Sequence, residues 1–202
     1  MKKTLYPQHF NDLIDSISHL PGIGKKSAEK MALAIYQWPE SKLDHFAKNL
    51  TELKSAITPC PKCSFFSEDF QDCSICKDLD RSPEIICVVE QPSQVNVIEK
   101  SACFEGYYHV LHGKLSPMNG IGPDDINIDA LIQKCHNPII SEVILATGTD
   151  LEGQATASYL AKILERPGIQ ISRIALGIPV GADLNYADAA SIAMAIDKRR
   201  NI

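Results

Sequence analysis

The 202 residues are 45% hydrophobic and 22% charged, the balance of a globular protein with room for one medium domain and a small one. No run of eighteen apolar residues occurs, and no apolar stretch follows the basic start Met1-Lys2-Lys3. A membrane span and a secretion signal are therefore not expected, and the cytoplasm is the expected compartment.

The formal net charge is −5, which argues against a surface that is basic throughout. Its distribution is uneven. Residues 1–57 hold eight lysines against six acids, and residues 58–202 hold twelve Lys and Arg against nineteen acids. Any phosphate contact is then expected to be local and N-terminal. Encirclement or oligomerisation would let several weak contacts act together.

Phe10, Leu13, Ile14, Ile17 and Leu20 fall at helix spacing and predict a first helix. Pro21-Gly22-Ile23-Gly24 breaks it, and a second helix follows with Ala28, Met31, Ala32 and Ile35 on one face. Leu20-Pro21-Gly22-Ile23-Gly24-Lys25 between two helices has the form of a helix–hairpin–helix. Gly22 and Gly24 let the backbone approach a phosphate closely. The unpaired N–H groups opening the second helix, at the positive end of its dipole, suit phosphate oxygens and read no bases. Lys26 and Lys30 share a helical face opposite the apolar stripe, next to Lys25. The plainer alternative is a tight helix–helix turn with solvated lysines; the full string, with a helix on each side, favours DNA contact. Gly22-Ile-Gly-Lys-Lys-Ser27 is not a P-loop, because Lys25 stands where glycine is needed and no strand precedes it.

Pro39 ends the second helix. Ser41-x-x-Asp44 resembles a capping box, and Leu43, Phe46, Leu50, Leu53 and Ile57 predict the apolar stripe of a third helix, stopped by Pro59. Cys60, Cys63, Cys73 and Cys76 follow as two C-x-x-C pairs. In a reducing compartment such cysteines are not read as disulfides. The spacing lets four sulfurs face one tetrahedral ion, and the ligand set favours Zn²⁺ over Mg²⁺ or Ca²⁺. The alternatives are a redox pair, an iron–sulfur site or adventitious thiols. A closed four-thiolate site has no open position, so no catalysis is expected there. Cys103 and Cys135 are scattered, and Cys87 sits in an apolar run as a small core residue.

The charged stretch from Lys77 to Glu84 reads as a linker. Beyond it Ile85–Val89, Tyr107–Leu111, Val143–Ala146 and Ile171–Leu176 read as buried strands, alternating with helices near 93–101, 128–136, 153–165 and 187–199. That alternation predicts a parallel sheet with helices on both faces. The loop from His112 to Asp125 has no regular periodicity; it is either a plain surface loop or a functional one. In open parallel sheets, sites form at the carboxyl ends of strands. Glu90, Asp150 and Glu152 are expected at that edge, where they could bind Mg²⁺, cap helices or sit in water.

A strand ending in Glu90, then a strand followed by Gly148-Thr149-Asp150-Leu151-Glu152-Gly153-Gln154, resembles a Toprim domain. Gly148 replaces the first Asp of that pattern and Gln154 the last Glu, which weakens a divalent site considerably. The order of the pieces resembles the RecR family of recombination proteins over nearly the whole chain. The resemblance includes Leu20-Pro-Gly-Ile-Gly-Lys-Lys-Ser-Ala28, Leu115-Ser-Pro117, Gly120-Ile-Gly-Pro-Asp-Asp125, Glu152-Gly-Gln-Ala-Thr-Ala157 and Gly177-Ile-Pro-Val-Gly181.

The resemblance implies an α+β multi-domain chain. Its parts are a helix–hairpin–helix domain at 1–58, a C4 zinc finger at 59–77, a Toprim domain at 83–179 and a Walker-B-like segment and helix at 180–202. It implies a non-enzymatic, self-associating DNA clamp, a dimer or tetramer, that acts with RecO and RecF to load RecA onto gapped DNA. The family's DNA-binding basic positions map onto Lys26 and Lys30. Glu90, Asp150 and Glu152 would then form a metal site or a partner surface. The competing reading is a Mg²⁺-dependent Toprim enzyme that cleaves or joins strands, which would need the full acidic set and a nucleophile.

Overall fold

In a computed structural model, residues 5–175, 177–178, 181, 183–197 and 199 are described, with backbone only at 190 and 197. The chain divides between Ala56 and Ile57 into two compact units.

The N-terminal unit holds three helices, α1 (Gln8–Ser18), α2 (Lys25–Tyr36) and α3 (Glu40–Ala56). Ala28 and Ala32, small and four apart, are fully buried on α2. Between α1 and α2 the chain turns through Leu20 N–H to Ile17 O (3.1 Å) and Ile23 N–H to Leu20 O (3.1 Å). Gly22 takes the left-handed φ of +79° that this turn requires. The expected capping box is corrected: α3 begins at Glu40, and the Pro39 carbonyl accepts from Lys42 and Leu43 N–H (3.0 and 3.1 Å). Ser41 and Asp44 therefore lie inside the helix. Leu43, Phe46, Leu50 and Leu53 stay 40–58% exposed, and Ile57 belongs to a strand.

The second unit opens with a hairpin, β1 (Ile57–Pro59) and β2 (Phe66–Glu68), and a single helical turn, α4 (Ser74–Lys77). Then come β3 (Ser82–Val89), α5 (Pro92–Ser101), β4 (Gly106–Val110), α6 (Asp129–Cys135), β5 (Glu142–Ala146), α7 (Leu151–Leu164), β6 (Gln170–Arg173) and α8 (Ala189–Asp197). The four later strands form one parallel sheet in the order β4-β3-β5-β6. The last strand stops at Arg173, short of the expected end at Leu176; Leu176, Pro179 and Val180 lie outside the described residues.

Pleating sends Ile86 and Val88 to one face, with Leu131 of α6 and Leu160 of α7, and Cys87 and Val89 to the other, with Val95 of α5. Both faces are covered, so these strands carry apolar side chains at nearly every position. The expected linker is largely ordered, since β3 already begins at Ser82. Arg81 donates to the Glu99 carboxylate and to Gly106 O (3.0 Å), and it pairs with Asp78.

Register places Val89 beside Ala146, so Glu90 and Thr147 leave the sheet side by side. The chain then doubles back into α7, whose cap is Asp150 accepting from Gly153 N–H at 2.8 Å. A Cβ on Gly153 would lie 2.7–2.8 Å from the carbonyl carbon and Cα of Gly148, too close for any side chain. Gly153→Ala should therefore destabilise the protein by about 1–3 kcal/mol, as overpacking does. A lowered thermal midpoint is the expected result, and an unchanged one would contradict this close approach.

Candidate functional site

Three groups of residues carry chemistry. The first is the turn before α2. Gly24 is the N-cap residue and offers no side-chain cap, and the first turn of α2 holds no acid. Among the described residues no acceptor meets the N–H groups of Lys25, Lys26 or Ser27. Lys25, Lys26 and Lys30 are exposed; Lys26 and Lys30 lie on the face opposite the buried Ala28 and Ala32, and Lys25 stands at the first helical position. Glu29, the one acid of α2, accepts from Tyr6 Oη at 2.8 Å. Cations in a helix's first turn oppose its dipole, an arrangement that costs about 0.3–1 kcal/mol and that a bound anion reverses.

The second group is the four-cysteine cluster. Cys60, Cys63, Cys73 and Cys76 are buried, and their sulfurs lie within 4.8 Å of one another. Tetrahedral coordination with bonds of about 2.3 Å needs sulfurs about 3.8 Å apart, so the donor set and its spacing could hold a metal ion. The local fold explains the convergence. Cys60 N–H donates to Phe65 O (2.7 Å), Ser64 N–H to Cys60 O (2.8 Å), and Cys73 N–H to Cys60 Sγ (3.3 Å). Lys62 and Asp72, one from each half of the motif, pair at 2.7 Å. Crowding pushes the Cys63 thiol up to about 12, first through Cys73, and it raises Cys76, first through Cys63. A divalent cation among the sulfurs would relieve that crowding.

The cluster is fastened to the sheet. Val110 N–H donates to Cys63 O (2.9 Å), His112 Nε2–H to Ser64 O (2.8 Å) and Asn127 Nδ2–H to Ser64 Oγ (2.7 Å). Deeper in, His109 is fully buried, with Nε2 2.6 Å from Asn127 O and Nδ1 2.8 Å from Lys134 Nζ. Nε2 faces a carbonyl and must donate, so Nδ1 accepts from the ammonium and the ring is neutral. Burial, and then Lys134, holds its pKa down to about 3. Burial also lowers Lys134, while the cysteines raise it. Lys134, Cys63 and Cys76 line one cavity of about 630 Å³, which sets this side chain beside the four cysteines.

The third group is the acidic edge. The structure brings Glu90, Asp150 and Glu152 to the carboxyl ends of β3 and β5. Glu90 is buried and accepts from Gly148 N–H at 2.7 Å. A Cβ at position 148 would lie 3.2–3.5 Å from the carboxylate oxygens of Asp150 and Glu90. An acid there would complete the set, and glycine leaves a backbone amide in its place. Asp150 caps α7 and pairs with Lys114. Glu152 pairs with Lys114 at 3.1 Å and accepts from Ser116 Oγ. Lys114 first depresses Asp150, and Ser116 followed by Lys114 depresses Glu152. Gln154, where the Toprim pattern has its last Glu, donates to Thr149 O at 2.7 Å. Arg173 donates to Gly148 O at 2.7 Å.

Sequence reasoning missed Lys114, Ser116, His109, Lys134 and the Lys62–Asp72 pair. For Lys114 a signal existed: it is the only Lys or Arg between Lys100 and Lys134.

Comparison with known proteins covers the first and third of these groups by family model. Residues 10–54 match the family described as RecR, helix-hairpin-helix; residues 84–175 match the Toprim domain; residues 177–200 match RecR, C-terminal. The chain is 43% identical over 196 residues to the recombination protein RecR of Desulfatibacillum aliphaticivorans, covering 97% of this chain and 98% of that one. It is 43% identical over 193 residues to the protein of the same name from Syntrophotalea carbinolica, with 96% of each covered. For that of Desulforapulum autotrophicum the identity is 44% over 196 residues, with 97% and 98% covered.

The buried histidine yields a pH prediction. Its folded pKa lies below the ordinary 6.5, so the unfolded chain binds the proton more readily. This term therefore withdraws stability as pH falls below about 6.5. In nitrogen NMR of the histidine rings, His109 should remain the neutral Nε2–H tautomer at pH 5.5. An imidazolium signature at that pH would contradict the assignment.

Proposed function

The chain belongs to the RecR family of recombination proteins, and from that premise we propose that it is a non-enzymatic DNA-binding clamp subunit in recombinational repair. The carrying observation is the start of α2, where unmet amide N–H groups lie beside exposed lysines, Lys25 at the first position and Lys26 and Lys30 together on one face. A phosphate there accepts from the amides, satisfies the helix dipole and neutralises lysines that otherwise oppose it. Gly22 and Gly24 keep Cβ atoms out of the way: nothing lies within 4 Å of where either would stand. Such contacts grip the backbone of DNA and read no sequence.

The remaining parts fit the same reading. Zinc in the four-cysteine cluster fixes a hairpin whose three-residue strands have little core of their own. Self-association into a dimer or tetramer multiplies a modest contact, and the apolar stripe of α3, 40–58% exposed, supports it. RecO and RecF are the expected partners, and gapped DNA on which RecA is loaded the expected substrate. No described helix is long and apolar enough to cross a membrane, which is compatible with a cytoplasmic protein. The Toprim match favours a second reading, a Mg²⁺-dependent enzyme that cleaves or joins strands. Against it, Gly148 and Gln154 replace two acids, and Lys114 already engages two of the remaining three.

Two experiments test the proposal. Lys26→Glu should weaken retention of gapped duplex on the order of tenfold at low salt and leave the thermal midpoint unchanged; undiminished retention would remove the assigned role, and nicking or relaxation of supercoiled plasmid with Mg²⁺ by the parent protein would favour the enzyme. Metal analysis should find one zinc per chain, lost with a lowered thermal midpoint in Cys63→Ser. Iron, or no metal, would contradict the zinc assignment.

A further inference from the structure

The loop at 112–125 is pinned across the acidic edge. Leu115 N–H donates to Thr156 Oγ1 of α7 at 2.9 Å, Ser116 Oγ donates to Glu152, and Asn119 Nδ2–H donates to Ser116 Oγ at 2.7 Å. At its base, His112 has a left-handed φ of +59° and bonds to Ser64 O of the cysteine hairpin. At its tip, Gly120 at φ +71° lets Ser116 and Ile121 pair across a tight turn. These contacts deliver the Lys114 ammonium to Asp150 Oδ2 and Glu152 Oε2. The slot that Toprim acids offer a divalent ion at the strand ends thus receives a cation from the chain itself.

We propose that Lys114 is a tethered cation that stands in for a divalent ion, closing the acidic edge to metal and latching the 112–125 loop across it. The physical case is one of charge and concentration. Two carboxylates and the buried Glu90 converge on one edge and would repel without a counter-charge. An ammonium on the same chain is present at high effective concentration, which a free ion must match. A primary ammonium offers three donors and needs no preset coordination number, whereas Mg²⁺ demands near-octahedral oxygen ligands. Gly148 removes one such ligand, and its amide takes up an oxygen of Glu90. The degenerate acids therefore serve as the receiving half of an internal latch. Because Ser64 anchors the base of the loop, the cysteine hairpin and the acidic edge are joined through a single run of chain.

The test is a Mn²⁺ titration followed by electron paramagnetic resonance, with zinc retained, on the full chain and its Lys114→Met, Lys114→Gln and Lys114→Arg variants. Lys114→Met and Lys114→Gln should bind Mn²⁺ at least about tenfold more tightly than the parent, since no tethered cation competes for the carboxylates. Adding Glu152→Gln to either should abolish that gain. Lys114→Arg, which keeps the charge, should bind Mn²⁺ no better than the parent. Amide exchange at Leu115, Ser116 and Ile121 should quicken in the two neutral variants. Lys114 is partly exposed and two neutral side chains are tried, so a fold failure of one leaves the other to decide. Parent protein that binds Mn²⁺ as tightly as the neutral variants in a manner lost on Glu152→Gln, or neutral variants that gain no site, would overturn the proposal. Neither readout involves DNA, so the outcome is independent of the clamp reading.

Discussion

A chain with 25 acids and 20 bases can hold a polyanion only where its own negative charge is thin or neutralised from within. Both conditions are met in this molecule. The N-terminal unit carries an excess of lysines, and the first turn of α2 holds two lysines and no acid. In the second unit the acids are repeatedly taken up by internal cations. Lys114 engages Asp150 and Glu152, Arg81 engages Asp78 and Glu99, and Lys62 engages Asp72. Each pair is a modest contributor to stability where it faces solvent. Together they decide which carboxylates are left to repel a phosphate backbone or to bind a metal.

The four-cysteine cluster gives the second unit its rigidity at one end. Its sulfurs belong to the same buried set as Cys87, Val89, Val95, Tyr108 and Val110, so the hairpin packs on the sheet face that α5 also covers. Two strands of three residues cannot hold themselves together in water, and the sheet, with any ion the four sulfurs hold, must do that work. Lys134 adds a buried amine beside the four cysteines, lining one cavity with Cys63 and Cys76. Through Ser64 and His112 the same hairpin fixes the start of the loop that carries Lys114.

The parallel sheet was legible because its strands are buried on both faces and read as unbroken apolar runs. The cysteine cluster was legible because its spacing is local and its chemistry narrow. The turn before α2 was legible because proline and glycine break a helix and glycine readily takes the left-handed φ found at Gly22. What escaped was non-local. Lys114 meets Asp150 thirty-six residues away, and no periodicity or motif announces that pairing. Arg81 looked like part of a solvated linker because its partner Glu99 lies eighteen residues on. Ser41-x-x-Asp44 resembled a cap because it carries the right residue types, but the Pro39 carbonyl starts α3 two residues earlier. Glu90, Asp150 and Glu152 could be placed at one edge from strand order alone; that a lysine joins two of them required the fold.

A grip on phosphates through helix amides and lysines has a measurable signature in salt and sequence. Affinity for two gapped duplexes of equal length and unrelated sequence, measured from low to physiological salt, tests it most directly. The account requires the two to bind alike, with the logarithm of affinity falling linearly as the logarithm of salt rises. A marked preference for one sequence, or binding that ignores salt, would mean that something other than the sugar–phosphate backbone is being held.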